Sequence, residues 1–110
     1  MLLIFREVDR ERFEEVRSGL KAIETRAGAE KYQAVQVGDE IKFKCGGDIF
    51  EKKVIKKYHW PTIEAMLAEV PLKRVMPELD TIEQAKARYA SYPNYTEKIE
   101  KYGILGFELA

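Results

Sequence analysis

A chain of 110 residues with 45% hydrophobic and 11% aromatic content can build one compact core that buries roughly two-thirds of its unfolded surface, which excludes two catalytic domains and intrinsic disorder. Nineteen basic residues balance nineteen acidic ones, so no global field draws the protein to nucleic acid or an anionic membrane, and such a partner must be held by a local patch. No apolar run approaches the ~18 residues of a membrane span, and MLLIF is cut short by Arg6 and Glu7, so no membrane partner and a cytoplasmic location are expected. Cys45 is the only cysteine and His59 the only histidine, too few for a disulfide or a Cys/His zinc site. Metal chemistry would rest on carboxylates alone, and no metal or cofactor is expected.

Leu2 to Phe5 predicts a short buried strand, and Asp9 stands where an N-cap belongs before the helical segment RERFEEVRSG. Phe13, Val16 and Leu20 recur at intervals of three and four as its core stripe, with Gly19 as the stop. Ala22 to Arg26 reads as extended. After the polar stretch GAEKYQA, the segment VQVGDEIKFKC alternates Ile41, Phe43 and Cys45 against Lys42 and Lys44, and Gly46 and Gly47 turn the chain back. The returning strand DIFEKKVIKKYHW has a mixed pattern that predicts a bulge.

Pro61 and Thr62 open a helix whose stripe is Ile63, Met66, Leu67 and Val70. Asp80 or Thr81 can cap TIEQAKARYASY, Pro93 breaks it, and NYTEKIEKYG predicts a last short helix before the closing strand ILGFEL. The order is strand, helix, three strands, two or three helices, strand. It predicts an α+β fold in which the first and last strands pair to close a small sheet.

The densest chemistry lies in Gly19-x-Lys21-x-x-Glu24-x-Arg26, at the corner between the first helix and an extended segment. On a strand, Glu24 and Arg26 share one face and Ile23 takes the other, while Lys21 at the corner can swing towards either. Arg26 offers a planar fork for a phosphate or base edge, Lys21 a point charge, and Glu24 an acceptor for exocyclic amino groups or a lock on Arg26. Spacing alone is equally compatible with a surface ion pair worth about 0 to 1 kcal/mol.

The segment resembles the ASCH family, whose signature is GxKxxExR and whose fold is similar to the PUA RNA-binding barrel. VQVGDEIKF looks like the barrel strand of PUA-like domains and GILGFEL like the closing strand, so the likeness spans nearly the whole chain. The resemblance implies a single domain over residues 1–110, a small PUA-like β-barrel of about five to six strands with flanking helices. It also implies a cleft at Lys21, Glu24 and Arg26 that contacts RNA or a modified nucleoside. Some members are similar to an amidohydrolase that deacetylates N4-acetylcytidine with a signature lysine, a threonine and a glutamate. Lys21 stands at the lysine position, but Glu24 occupies the threonine position, and Thr25 is expected on the opposite strand face. With Lys21 as base and Glu24 or Glu83 as acid, a hydrolase remains open if burial tunes their pKa values. Other members are ribonucleases, a second enzymatic alternative.

Between Lys42 and Lys57, six lysines face only Asp48 and Glu51, a local charge of +4. Lys42 and Lys44 could track a phosphate backbone, with Tyr58, His59 and Trp60 stacking on bases, or the lysines could simply solvate a strand face. Trp60 and Cys45 read as core. Tyr89, Tyr92, Tyr95 and Tyr102 form a series in which Tyr89 and Tyr92 can share a helix face as a stacking wall or pack on the barrel. The leading expectation is an RNA- or modified-nucleotide-binding module using Lys21, Glu24, Arg26, Lys42, Lys44 and Tyr89. The alternatives are a small RNA- or nucleoside-processing enzyme and a protein-interaction scaffold.

Overall fold

The computed structural model describes residues 1–110, an α+β domain whose five strands form one sheet curled into a half-barrel, with six helices around it. In chain order the elements are β1 (Leu2–Phe5), a 3-10 turn (Glu7–Asp9), α1 (Arg10–Ser18), β2 (Ile23–Ala27), α2 (Glu30–Gln33), β3 (Glu40–Cys45) and β4 (Asp48–Trp60). Helices α3 (Ile63–Glu69), α4 (Leu72–Val75), α5 (Ile82–Ala90) and α6 (Tyr95–Tyr102) follow before β5 (Ile104–Leu109). No helix is long and apolar enough to cross a membrane.

The strand order is β1-β3-β4-β5-β2, with β1 parallel to β3 and the other pairs antiparallel. The first and last strands therefore do not pair, contrary to expectation. β5 instead lies between β4 and β2, where both its faces are covered, which is why ILGFEL is almost continuously apolar. Four helices separate β4 from β5, not two or three. The four-residue α2 and α4 are too short for a periodic stripe.

Two cores flank the sheet. One gathers Leu3, Phe13, Ile41, Phe43, Val54, Leu105 and Phe107 under α1; the other gathers Ile23, Tyr58, Trp60, Met66, Val75, Tyr89 and Ile104 under α3, α4 and α5. β4 serves both because of the expected bulge. Its register shifts between Val54 and Lys56, and the extra residue reverses the alternation, so Val54 faces the first core while Tyr58 and Trp60 face the second. Gly106 of β5 makes room for the Trp60 ring, since a Cβ there would lie 2.6 Å from Trp60 Cζ3.

Phe13 and Val16 are buried, whereas Leu20 is exposed because Gly19 has already turned the chain out of the helix. Asp9 precedes α1 but does not cap it; its carboxylate accepts from Arg6 Nε at 3.0 Å. Thr62 Oγ1 caps α3, and Thr81 forms a reciprocal capping box with Gln84 at the start of α5.

Candidate functional site

β1 and β2 are the two ends of the strand order, each with a single partner, and a cleft of about 370 Å³ opens between them. Ile4, Phe5 and Arg6 line one side and Lys21, Glu24, Thr25 and Arg26 the other. Val75, Met76 and Glu78 after α4, and Arg88, Tyr89, Tyr92 and Tyr95 around the α5–α6 corner, complete it.

The Gly-x-Lys spacing sets the corner. Gly19 adopts φ +87°, a left-handed value that only glycine takes without strain, and its N–H closes on the Val16 carbonyl at 3.1 Å. The chain then folds back so that the Lys21 N–H donates to the Glu15 carbonyl at 2.9 Å, which aims the side chain inward. Lys21 is buried and its Nζ donates to the Val75 carbonyl. Burial pushes its pKa below the ordinary lysine range against the opposing pull of Glu24.

That shift has a signed consequence for stability. Between the lowered native value and the ordinary 10.5, the unfolded chain holds a proton that the native one lacks, so Lys21 makes stability rise with pH. Below about pH 9 the raised tyrosines Tyr89 and Tyr92 stay protonated in both states, so they do not interfere. The unfolding free energy of the wild type minus that of Lys21→Met is expected to increase as the pH rises towards the ordinary lysine value of 10.5 in urea titrations. A pH-independent difference would contradict the burial of this amine.

Glu24 and Arg26 lie on β2 as expected and pair at 3.3 Å between Oε1 and Nη2, with side chains 5% and 25% exposed. For Arg26, burial works against the charge, but Glu24 and the nearby Tyr95 and Tyr32 outweigh it and raise the pKa. Thr25, next to Glu24 on β2, also lines the cleft, which runs along the free edge of that strand. Its Oγ1 shares a 2.6 Å hydrogen bond with the Tyr89 hydroxyl.

Tyr89 reaches the cleft wall but is buried, and burial raises its pKa. Tyr92 is the tyrosine with an open face: it is 40% exposed and stands edge-on to Tyr95 at 5.1 Å. Glu83 is exposed and lies outside the cleft, while Glu78 lies inside it. Glu78 Oε1 accepts from Arg88 Nη1 at 2.6 Å and lies 3.7 Å from Arg12 Nη1. Burial pushes the carboxyl up, but a backbone N–H and the two guanidiniums outweigh it and hold the pKa below the usual range.

Lys42 and Lys44 do not line the cleft. They project from β3, where Lys42 lies 3.6 Å from Glu51 and Lys44 stands opposite Ile49. The basic run is dispersed: Lys57 Nζ donates to the Gln33 carbonyl at 2.7 Å, and Lys56 lies over the Tyr58 ring at 4.8 Å. Trp60 and Cys45 are core, and the exposed His59 has its Nε2 2.7 Å from the Tyr102 carbonyl oxygen. Sequence reasoning missed Glu78, Arg12 and Arg88 as site residues. Glu78 and Arg88 are distant from the signature along the chain, Arg12 lies off the core stripe of α1, and charged residues without periodicity give no local signal.

Three buried polar side-chain atoms have no protein hydrogen-bond partner: Glu24 Oε2, Arg26 Nε and Glu78 Oε2. All three belong to residues that line the cleft. Such atoms are costly to leave unpaired, at about 1 to 3 kcal/mol each and more for charged groups, which sets the lining of this cleft apart from the two apolar cores.

No protein-family model and no curated protein matches the chain. Two solved structures are similar over nearly its whole length. The crystal structure of hypothetical protein PH0355 shares 28% identity at a TM-score of 0.80, covering 99% of this chain and 97% of that one. The solution NMR structure of protein PF0455 from Pyrococcus furiosus also shares 28% identity, at a TM-score of 0.78, covering 99% and 96% of the two chains.

Proposed function

We propose that the protein is an ASCH-type module whose cleft at Lys21, Glu24 and Arg26 binds RNA or a modified nucleotide. The observation that carries this reading is that Lys21, Glu24, Arg26 and Glu78, ionisable and largely withdrawn from solvent, line one cleft together. Its volume of about 370 Å³ suits a small ligand, a charged fork and carboxylate acceptors offer contacts to a heterocycle edge or phosphate, and Tyr92 offers a ring face.

The test is an NMR titration of labelled protein with a nucleoside and nucleotide set, then a short single-stranded RNA. Amide shifts clustered at residues 21–26 and around Tyr92 are expected. No shifts with any of these ligands at millimolar concentration would reject the reading.

One observation favours a second, enzymatic reading: Lys21 is buried with its pKa lowered, the condition a lysine base requires. Glu24 and Glu78, rather than the exposed Glu83, are then the carboxylates within the same cleft. This reading expects deacylation of an acylated cytidine that disappears in Lys21→Met. A flat product trace with the wild type would exclude that reaction.

A further inference from the structure

Lys21 is the one buried lysine of the chain, and the groups around it leave its amine without a counter-charge. Three carboxylates face it, from α1, β2 and the segment after α4, and each is already committed to an arginine. Glu15 accepts from Arg12 Nε at 2.6 Å, Glu78 accepts from Arg88 Nη1 at 2.6 Å, and Glu24 pairs with Arg26 at 3.3 Å. The hydrogen-bond partner of Lys21 Nζ is instead the neutral carbonyl oxygen of Val75. Arg26 faces the amine too and adds repulsion to the cost of burial. A guanidinium does not release its proton in a protein, whereas an amine does, so Lys21 is the group that these surroundings favour in its neutral form. A neutral amine that donates one N–H to Val75 keeps a lone pair for reaction.

The cleft supplies the rest of a site. Lys21 lines it together with Arg12, Arg26 and Arg88, whose side chains are about a quarter exposed and so open onto it. A volume of about 370 Å³ admits a small molecule beside them. An unprotonated amine attacks a carbonyl carbon, and guanidiniums attract a carboxylate on the same molecule.

We propose that Lys21 is a nucleophile that condenses with a small carbonyl compound bearing a carboxylate, an aldehyde acid or a 2-oxo acid, to form an imine in the cleft. The amine lone pair makes the C–N bond while the carbonyl π pair moves to oxygen, which takes one amine proton to give a carbinolamine. The C–O bond then breaks, the hydroxyl leaves with the second amine proton as water, and a C=N bond remains. No oxidant or reductant takes part. This goes beyond the nucleotide and deacylation readings and depends on neither, since it needs only the amine and the open cleft.

The experiment treats the full chain at pH 7 with glyoxylate and cyanoborohydride, which reduces an imine to a stable secondary amine, and locates the label by peptide mass spectrometry. An ordinary lysine is neutral in about one molecule in 2,500 at pH 7, and each unit by which its pKa falls raises that fraction about tenfold. Lys21 is therefore expected to be trapped at least about tenfold faster than any of the other eleven lysines, and to lose that lead when the chain is labelled unfolded in urea. Lys21→Met should remove this label and no other. With propionaldehyde, which lacks the carboxylate, the lead of Lys21 over the other lysines should shrink several-fold.

Trapping of Lys21 no faster than the other lysines of the folded wild type, or a lead that persists in urea, would overturn the nucleophile. A lead as large with propionaldehyde as with glyoxylate would overturn the carboxylate preference and leave the reactive amine in place.

Discussion

Replacing Arg26 with glutamine is expected to weaken nucleotide binding by at least about tenfold. A hydrogen bond to a charged group contributes about 1.5 to 3 kcal/mol, and each 1.4 kcal/mol is a factor of ten in Kd. Arg26 supplies the only cleft donor that is buried without a protein partner, and a primary amide can reproduce neither its charge nor its fork. The same substitution has a structural cost, because it removes the counter-charge from Glu24, whose side chain is only 5% exposed. Breaking a fully buried ion pair costs about 3 to 5 kcal/mol, and this pair should cost less, since a quarter of the Arg26 side chain is in contact with solvent.

Binding and folding can be separated with a second variant. Glu24→Gln combined with Arg26→Gln removes both charges and should regain part of the lost stability while nucleotide binding stays weak. Urea unfolding gives the first quantity and titration the second. Wild-type affinity in a folded Arg26→Gln protein would remove Arg26 from the site.

The second large effect is structural. Phe43→Ala is expected to cost about 3 to 5 kcal/mol, the usual range for emptying a buried phenylalanine site. The ring is fully buried on β3, stacked on Phe50 at 5.0 Å and 11° and tilted against Phe5 at 6.2 Å. Helix α1 closes over it with Phe13, itself 4.9 Å from Phe50, leaving the neighbours little freedom to collapse into the cavity. A domain of this size has roughly 5 to 15 kcal/mol of stability, so the loss should lower the melting temperature by at least about 10 °C. A cost under about 1 kcal/mol would mean that this core does not hold the β1–β3–β4 region together. Phe43 does not line the cleft, so the variant's affinity under folded conditions should stay near wild type.

Local features of the chain were readable because local physics sets them. Strict alternation from Ile41 to Cys45 made β3 legible, and the i, i+3 spacing of Phe13 and Val16 did the same for α1. Gly19 was readable as a helix stop because glycine alone takes φ +87° freely, and that stop positions Lys21. The convergence of Lys21, Glu24 and Arg26 followed from one corner and one strand. Leu20, by contrast, was misassigned because spacing remains periodic on paper after Gly19 has ended the helix.

What the sequence by itself determined was therefore the set of elements and one side of the cleft, through residue periodicity, capping chemistry and the short GxKxxExR span. Tertiary structure decided the rest. The pairing of β5 with β2 and β4, and of β1 with β3, depends on which faces find a cover, and no local preference encodes that choice. The short α2 and α4 carry too few residues to show a period. The far side of the cleft comes from Glu78, Arg88 and Tyr92, more than fifty positions beyond the signature, and they reach it only because α4 and α5 pack over the second core. The same packing buries Tyr89 and leaves Tyr92 open, though the two are three residues apart on one chain segment. Burial depends on what lies opposite a side chain, and only the folded chain supplies that.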